Sequence, residues 1–140
     1  MAGKKGILVV DDDADVVESA RIVLENEGYD VSTARSGAEC LASARETHPD
    51  LIILDLMMET DSDGMLAAQE LKKDAKTGDI PIVVVSGVNQ KSPYDIVPTP
   101  GWLPVDAMAE KPIPASTLLE LVRGQIGPAG EPAVVYKAGS

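Results

Sequence analysis

Leu51-Ile52-Ile53-Leu54-Asp55 limits what this chain can become more than any other stretch. Four consecutive aliphatic residues, two of them β-branched, read as a strand buried on both faces, which is the environment of a parallel sheet. The run ends abruptly on a carboxylate. In an open α/β fold the carboxyl edge of the sheet is where ligands bind, so Asp55 falls at the functional rim. A second run, Ile7-Leu8-Val9-Val10, ends the same way, on Asp11-Asp12-Asp13. Two strands closing on acid predict an acidic pocket.

The rest of the chain supplies the elements such a sheet needs. After Asp13, the residues Val16, Val17, Ala20, Val23 and Leu24 recur at helical spacing, and Gly28 is placed to cap the end. Asp13 or Asp15 can cap the start of that helix. Tyr29 to Ala34 reads as a short strand. Ser36 with Glu39 three residues on has the capping-box pattern, opening a helix that must stop before Pro49, with Cys40, Leu41 and Ala44 inward. Beyond Asp55, Glu59 to Gly64 is a polar turn, followed by a helix that turns Leu66, Ala67 and Leu71 inward. Ile80 to Val85 is a fourth strand, with Pro81 tolerable at its beginning, and it ends on Ser86-Gly87. Ala107-Met108-Ala109 is the fifth, ending on Glu110-Lys111-Pro112. A last helix runs from about Pro114 to Gln125.

One segment breaks the alternation. Between Ser86 and Ala107 stand Pro93, Pro98, Pro100, Gly101 and Pro104. A proline inside a helix costs about 3 kcal/mol through a lost donor and a steric clash. The expectation here is at most a turn or two of helix, otherwise a loop, with Trp102 either plugging the sheet or anchoring a partner. Five strands alternating with helices give a doubly wound parallel sheet, with helices on both faces. The expected organisation is a single domain over 1–127 and a flexible Pro/Gly-rich tail over 128–140.

Composition removes several function classes. A formal charge of −11 argues against a nucleic-acid-binding surface, which needs clustered Lys and Arg. No apolar run approaches the roughly 20 residues that cross a bilayer. The single cysteine, Cys40, forbids an internal disulfide and fits the cytoplasm; its place on an inner helix face makes it core rather than a reactive thiol. With no Phe, the core must rest on Val, Leu, Ile, Met and Ala. His48, before Pro49, is read as a surface residue with no evident partner, and Lys72-Lys73 as a solvated helix face.

If the strands are parallel, Asp11, Asp12, Asp55, Ser86 and Lys111 share one edge. Clustered carboxylates repel, so a cation must intervene or one of them must be protonated. A hard ion such as Mg²⁺ is the economical choice, because it takes oxygen ligands from one or two carboxylates plus waters and phosphate oxygens. A metal-bound carboxylate beside a hydroxyl and a lysine is suited to handling a phosphoryl group.

With these residues in hand, the chain resembles the receiver domain of bacterial two-component response regulators, of the chemotaxis-regulator type, from about Lys5 to Gln125. The resemblance is carried by Asp11-Asp12 after the first strand, Asp55 ending the third, Asp63-Gly64 beyond it, Ser86 ending the fourth and Lys111-Pro112 ending the fifth. It implies a flavodoxin-like strand order 2-1-3-4-5, with the fourth helix shortened or replaced by the proline-rich loop. It further implies that Asp55 accepts a phosphoryl group from a sensor histidine kinase or a phosphotransfer protein. Asp12, helped by Asp11, would hold Mg²⁺ together with Asp55 and the backbone carbonyl of Met57, while Ser86 and Lys111 would contact the aspartyl phosphate. Such a protein would catalyse only its own phosphorylation and dephosphorylation, and would signal to a downstream protein by contact, as a stand-alone module.

The sequence also departs from that family. Asp55 to Asp63 is one residue longer than the common spacing, Glu59 stands where Pro is usual, and Met108 occupies the position of an aromatic switch residue. Three other readings remain open. One is a receiver-like docking scaffold that is not phosphorylated. Another is a calcium-binding loop at Glu59 to Glu70, which would need a preceding helix. The last is an aspartate-nucleophile phosphohydrolase, disfavoured because Met57 stands where its acid/base Asp would be.

Overall fold

The computed structural model describes residues 5–55, 63–86, 96–97, 107–110 and 113–127. In chain order its elements are β1 (Gly6–Val10), α1 (Ala14–Asn26), β2 (Asp30–Ala34), α2 (Gly37–Thr47), β3 (Leu51–Asp55), α3 (Asp63–Lys73), β4 (Ile82–Ser86), β5 (Ile96–Val97), β6 (Ala107–Glu110) and α4 (Ala115–Ile126). The sheet order is β2-β1-β3-β4-β6-β5. All pairings from β2 across to β6 are parallel. The five expected strands and their order are therefore present, with β6 as the fifth parallel strand.

β3 is the centre of the sheet. It is hydrogen-bonded to β1 on one side and β4 on the other, and every one of its residues is buried. Because side chains alternate along a strand, its continuous apolar run divides between two faces. Ile52 and Leu54 join Leu8, Val10, Ile82 and Val84 in a core shared with Ala44 of α2 and Leu71 of α3. Leu51 and Ile53 join Ile7, Val9, Val83 and Val85 in a second core with Leu24 of α1 and Val122 of α4. Helices thus cover both faces, as right-handed crossovers between parallel strands require. Cys40 is fully buried in the first core, as its position in the sequence implied.

Local chemistry sets the helix ends. The Asp13 carboxylate accepts from the Asp15 N–H and caps α1. At the other end, Gly28 has φ 103°, its N–H donates to the Glu25 carbonyl, and the Tyr29 N–H donates to that of Leu24. This pair of bonds is a Schellman motif, which glycine permits because it has no Cβ to clash at positive φ. It takes Tyr29 out of the expected strand, and β2 starts one residue later. For α2, Ser36 Oγ accepts from the Glu39 N–H, while Glu39 Oε1 accepts from the Arg35 N–H. The return bond of the capping box thus lands one residue early.

Four further expectations are refined. Leu66 does not turn inward with Ala67 and Leu71 but is 54% exposed, and Ala68 takes its place on the buried face of α3. Ile80 and Pro81 precede β4 rather than starting it, because proline has no N–H for the ladder; the Pro81 carbonyl still accepts from Ile52 N–H at 3.0 Å. His48 does have a partner, with Nε2 3.2 Å from Asp79 Oδ1 on an exposed surface. It also closes α2 in the left-handed region at φ 45°. Lys72 is not simply solvated, since its ammonium donates to the Ile80 carbonyl at 3.1 Å.

Within the proline-rich segment, Ile96 and Val97 form a strand and not a helix. β5 runs antiparallel to β6, pairing Ile96 with Ala109 and Val97 with Met108, and adds an edge beyond the five parallel strands. Both residues are β-branched and Pro98 follows, so a short strand suits them better than a helix. The expectations for Trp102, the remainder of 87–106 and the tail over 128–140 lie outside the described residues.

Candidate functional site

The register of the sheet brings the acidic residues together. Val10 lies beside Leu54, so the next residues of the two parallel strands, Asp11 and Asp55, emerge at adjacent strand ends. Carboxylate oxygens of Asp11, Asp12 and Asp55 all lie within 4.8 Å of one another. Asp11 and Asp55 are each only 2% exposed, and Asp12 faces solvent. The Asp11 carboxylate is held in place by the Asp13 N–H, which donates to Oδ1 at 3.0 Å. Asp13 is itself the N-cap of α1, so the positive end of that helix lies beside the cluster.

Brought this close, the three carboxylates repel one another. The repulsion is strongest between the two buried carboxylates, Asp11 and Asp55, and weaker where solvent reaches Asp12. A cation relieves that repulsion. The donor set is entirely oxygen, with two preorganised buried carboxylates and a third open to water. That composition fits a hard ion such as Mg²⁺, which retains waters and takes few protein carboxylates, better than a softer metal seeking nitrogen or sulfur.

Among the other expected site residues, Ser86 ends β4, one position beyond the Asp55–Val85 pair and in register with Glu110 of β6. Its backbone therefore reaches the same edge as Asp55, while its side chain lies outside the described residues. Lys111, which follows Glu110 directly, and Met57 also lie outside them. The calcium-loop reading loses its footing, because Leu51–Asp55, ahead of that loop, form strand β3 where a helix would be needed.

One feature had not been expected from the sequence. Beside Asp11, a cavity of about 490 Å³ opens between α1 and α4 over the ends of β1, β3 and β4. Its walls include Val16, Ser19 and Ala20 of α1 and Ala115 and Leu118 of α4. The only signal for it in the sequence is the small size of Ser19, Ala20 and Ala115 where larger apolar residues would close the gap.

Comparison with known proteins decides the family. The model of the response regulator receiver domain matches residues 7–123. The chain belongs to the response regulator receiver family.

This receiver domain is 30% identical over 125 residues to the polar-differentiation response regulator DivK of Brucella ovis, covering 89% of the chain and 98% of DivK. It is 40% identical over 84 residues to the DNA-binding dual master transcriptional regulator RpaA of Synechocystis, covering 60% of the chain but only 34% of RpaA. The chain thus spans about a third of one relative and nearly all of the other. Among solved structures, the CheY-like receiver domain protein of Methanospirillum hungatei superposes with a TM-score of 0.70 at 25% identity, covering 86% of this chain and 91% of that one. Chemotaxis regulator CheY4 of Vibrio cholerae, at 24% identity, shares the fold with a TM-score of 0.72 over 87% of this chain and 98% of its own. Receiver domains are signalling modules of two-component systems rather than enzymes acting on external substrates. Among the described residues no helix is long and apolar enough to cross a membrane.

Proposed function

We propose that this receiver domain accepts a phosphoryl group on Asp55 from a histidine kinase or phosphotransfer protein in the cytoplasm, and passes the signal on by contact with a downstream protein. The observation that carries the reading is the meeting of Asp11, Asp12 and Asp55 at the carboxyl edge of the sheet, with Asp55 closing its central strand. Asp11, Asp12, Asp55 and the backbone carbonyl of Met57 are the proposed holders of Mg²⁺. When bound, that ion would screen the carboxylates and offset charge on the transferring phosphoryl oxygens.

The remaining roles belong to the chain itself. An Asp55 carboxylate oxygen is the nucleophile; as its bond to phosphorus forms, the bond from phosphorus to the donor breaks and the donor leaves with that electron pair. Fixing Asp55 at the end of a buried strand orients this oxygen before the donor arrives. Asp11, whose Oδ1 accepts from the Asp13 N–H, helps to shape the acidic pocket. Ser86 and Lys111 are the proposed contacts to the phosphate, through a hydroxyl and an ammonium. The −11 charge supports a protein partner over nucleic acid, and the DNA binding in the name of RpaA is a statement about RpaA.

Incubation with acetyl phosphate and Mg²⁺, followed by intact-mass measurement, tests the reading. One added phosphoryl group that disappears in Asp55→Ala is expected. Labelling of the Ala variant at the same rate would assign the acceptor elsewhere and leave Asp55 as part of a docking surface only.

A further inference from the structure

The space between α1 and α4 is held open by the way the two helices are fixed. Val17 and Leu24 seat α1 on the sheet, and Leu118 and Val122 seat α4. At their C-terminal ends the helices are tied together. The Arg123 guanidinium meets Glu27 at 2.7 Å, and the Tyr29 hydroxyl just past α1 donates to the Gly127 carbonyl. Toward their N-terminal ends the facing residues are short. Val16, Ala20 and Val23 follow one another at i, i+4 and i+7 along one face of α1, with Ser19 beside them, and Ala115 and Leu118 line the other wall on α4. Ser19, Ala20 and Ala115 do not reach across, and a cavity of about 490 Å³ is left.

The lining specifies what can fill it. Val9, Ile53 and Val85 of the sheet, with Ile113 and Leu118, offer a water molecule few hydrogen bonds. Atoms facing such a void lack dispersion partners on one side, and an apolar body restores them. Charge enters only as acid: Asp11 and Asp15 are the charged groups among the described lining residues. Asp11 is buried and already accepts from the Asp13 N–H. Asp15 is exposed, one helical turn before Ser19. With Asp12 and Asp13 close by in a chain of net charge −11, the local potential favours a cation and repels an anion. The volume falls inside the ~300–1,000 Å³ range of small-molecule pockets.

We infer that the α1/α4 cavity binds a small free amine with an apolar body, the body over Ile53, Val85 and Leu118 and the ammonium facing Asp15. This site goes beyond the proposed phosphoryl transfer and does not depend on it, because its contacts include neither Asp12 nor Asp55. An apolar body alone gains the dispersion contacts, and the ammonium adds the attraction to Asp15. The difference between an amine and its neutral isostere is therefore the signature of the site.

Tryptamine, an indole carrying a primary ammonium, and tryptophol, the same body with a hydroxyl in its place, test this in Mg²⁺-free buffer. Titrated into the full isotope-enriched chain, tryptamine should shift the amides of Val16, Ser19, Ala20 and Leu118 to saturation and leave those of α2 unmoved. A dissociation constant on the order of 1 mM is the scale for a ligand of this size. Tryptophol should bind at the same amides about 2- to 5-fold more weakly, the scale of one partly solvated ion pair. In Asp15→Asn that difference should vanish while tryptophol binding stays as it was. Ser19→Leu and Ala115→Leu, both at exposed helix positions that bear a larger side chain, should fill the space from either wall and remove saturable binding of both compounds. Binding that survives both filling substitutions, or equal affinity of the wild-type chain for the two compounds, overturns the proposal. So does a failure of tryptamine to saturate by ~10 mM. Shifts at the same amides on raising the protein concentration alone would give the cavity to a second copy of the chain and also overturn it. A chain that takes no phosphoryl group would count against the proposed function and not against amine binding, which the amide shifts measure alone.

Discussion

Tyr29 and Gly127 are joined across the molecule, the Tyr29 hydroxyl donating to the Gly127 carbonyl at 2.8 Å. Tyr29 ends the Schellman turn after α1 and its side chain is 1% exposed, so this bond ties the start of β2 to the end of α4. Tyr29→Phe keeps the ring and loses the bond. It should cost about 0.5–1.5 kcal/mol in urea unfolding. Burial also pushes the Tyr29 phenol above its ordinary range, an effect partly offset by the nearby Arg123 guanidinium. The unfolded chain therefore ionises first, near pH 10. The stability tied to neutral Tyr29 is intact below that pH and is lost as pH rises through the higher folded value. Tyr29→Phe should flatten that part of the alkaline unfolding curve.

Asp11 and Asp55 carry the second prediction. Asp55→Asn removes one charge from a crowded pocket while keeping its shape. Mg²⁺ should stabilise the wild-type chain, by about 2.7 kcal/mol at a hundredfold excess over the dissociation constant, and chelation should reverse this. The Asn variant should respond much less. Equal Mg²⁺ stabilisation of the two would remove Asp55 from the metal site.

His48 adopts φ 45° at the end of α2. For a residue with a Cβ, that region costs roughly 1–2 kcal/mol. His48→Gly should therefore stabilise the fold by about 0.5–1 kcal/mol, net of greater chain freedom in the unfolded state. His48→Ala, which keeps the strain and loses the exposed contact to Asp79, should change stability little. Destabilisation by both variants to the same degree would show that the Asp79 contact outweighs the strain.

Asp74 closes the turn after α3. Its carboxyl is held below the usual range first by the Lys76 N–H and then by Arg45 of α2. A lowered folded value means that the stabilisation is present above the unfolded value near pH 4 and is lost as pH falls through the folded one. Asp74→Ala should lose more stability at pH 6 than at pH 2. Arg45→Ala should show a weaker version of the same trend, because the backbone bond survives.

Much of this architecture was legible because it is written locally. Runs such as Ile7 to Val10 and Leu51 to Leu54 are strands under any packing that buries them. Ser36-x-x-Glu39 and Gly28 announce helix ends through their own hydrogen-bonding chemistry and backbone freedom. The strand-end positions of Asp11, Asp12 and Asp55 follow from that reading, and so does the prospect of an acidic pocket. The family pattern then gave those carboxylates a proposed division of labour.

By itself, the sequence determined the alternation of elements, the parallel sheet and the cluster of acids at one edge, since periodicity and capping depend on neighbours a few residues apart. Tertiary structure alone decided which of those acids is buried. Val10–Leu54 register sets Asp11 beside Asp55 and leaves Asp12 to the solvent. It also paired His48 with Asp79, set β5 antiparallel on the far edge, and left a groove where Ser19, Ala20 and Ala115 are too small to close the gap between α1 and α4. These outcomes depend on register and on how helices of given side-chain volume pack across a sheet. Such relations join residues far apart in the chain, and no local pattern encodes them.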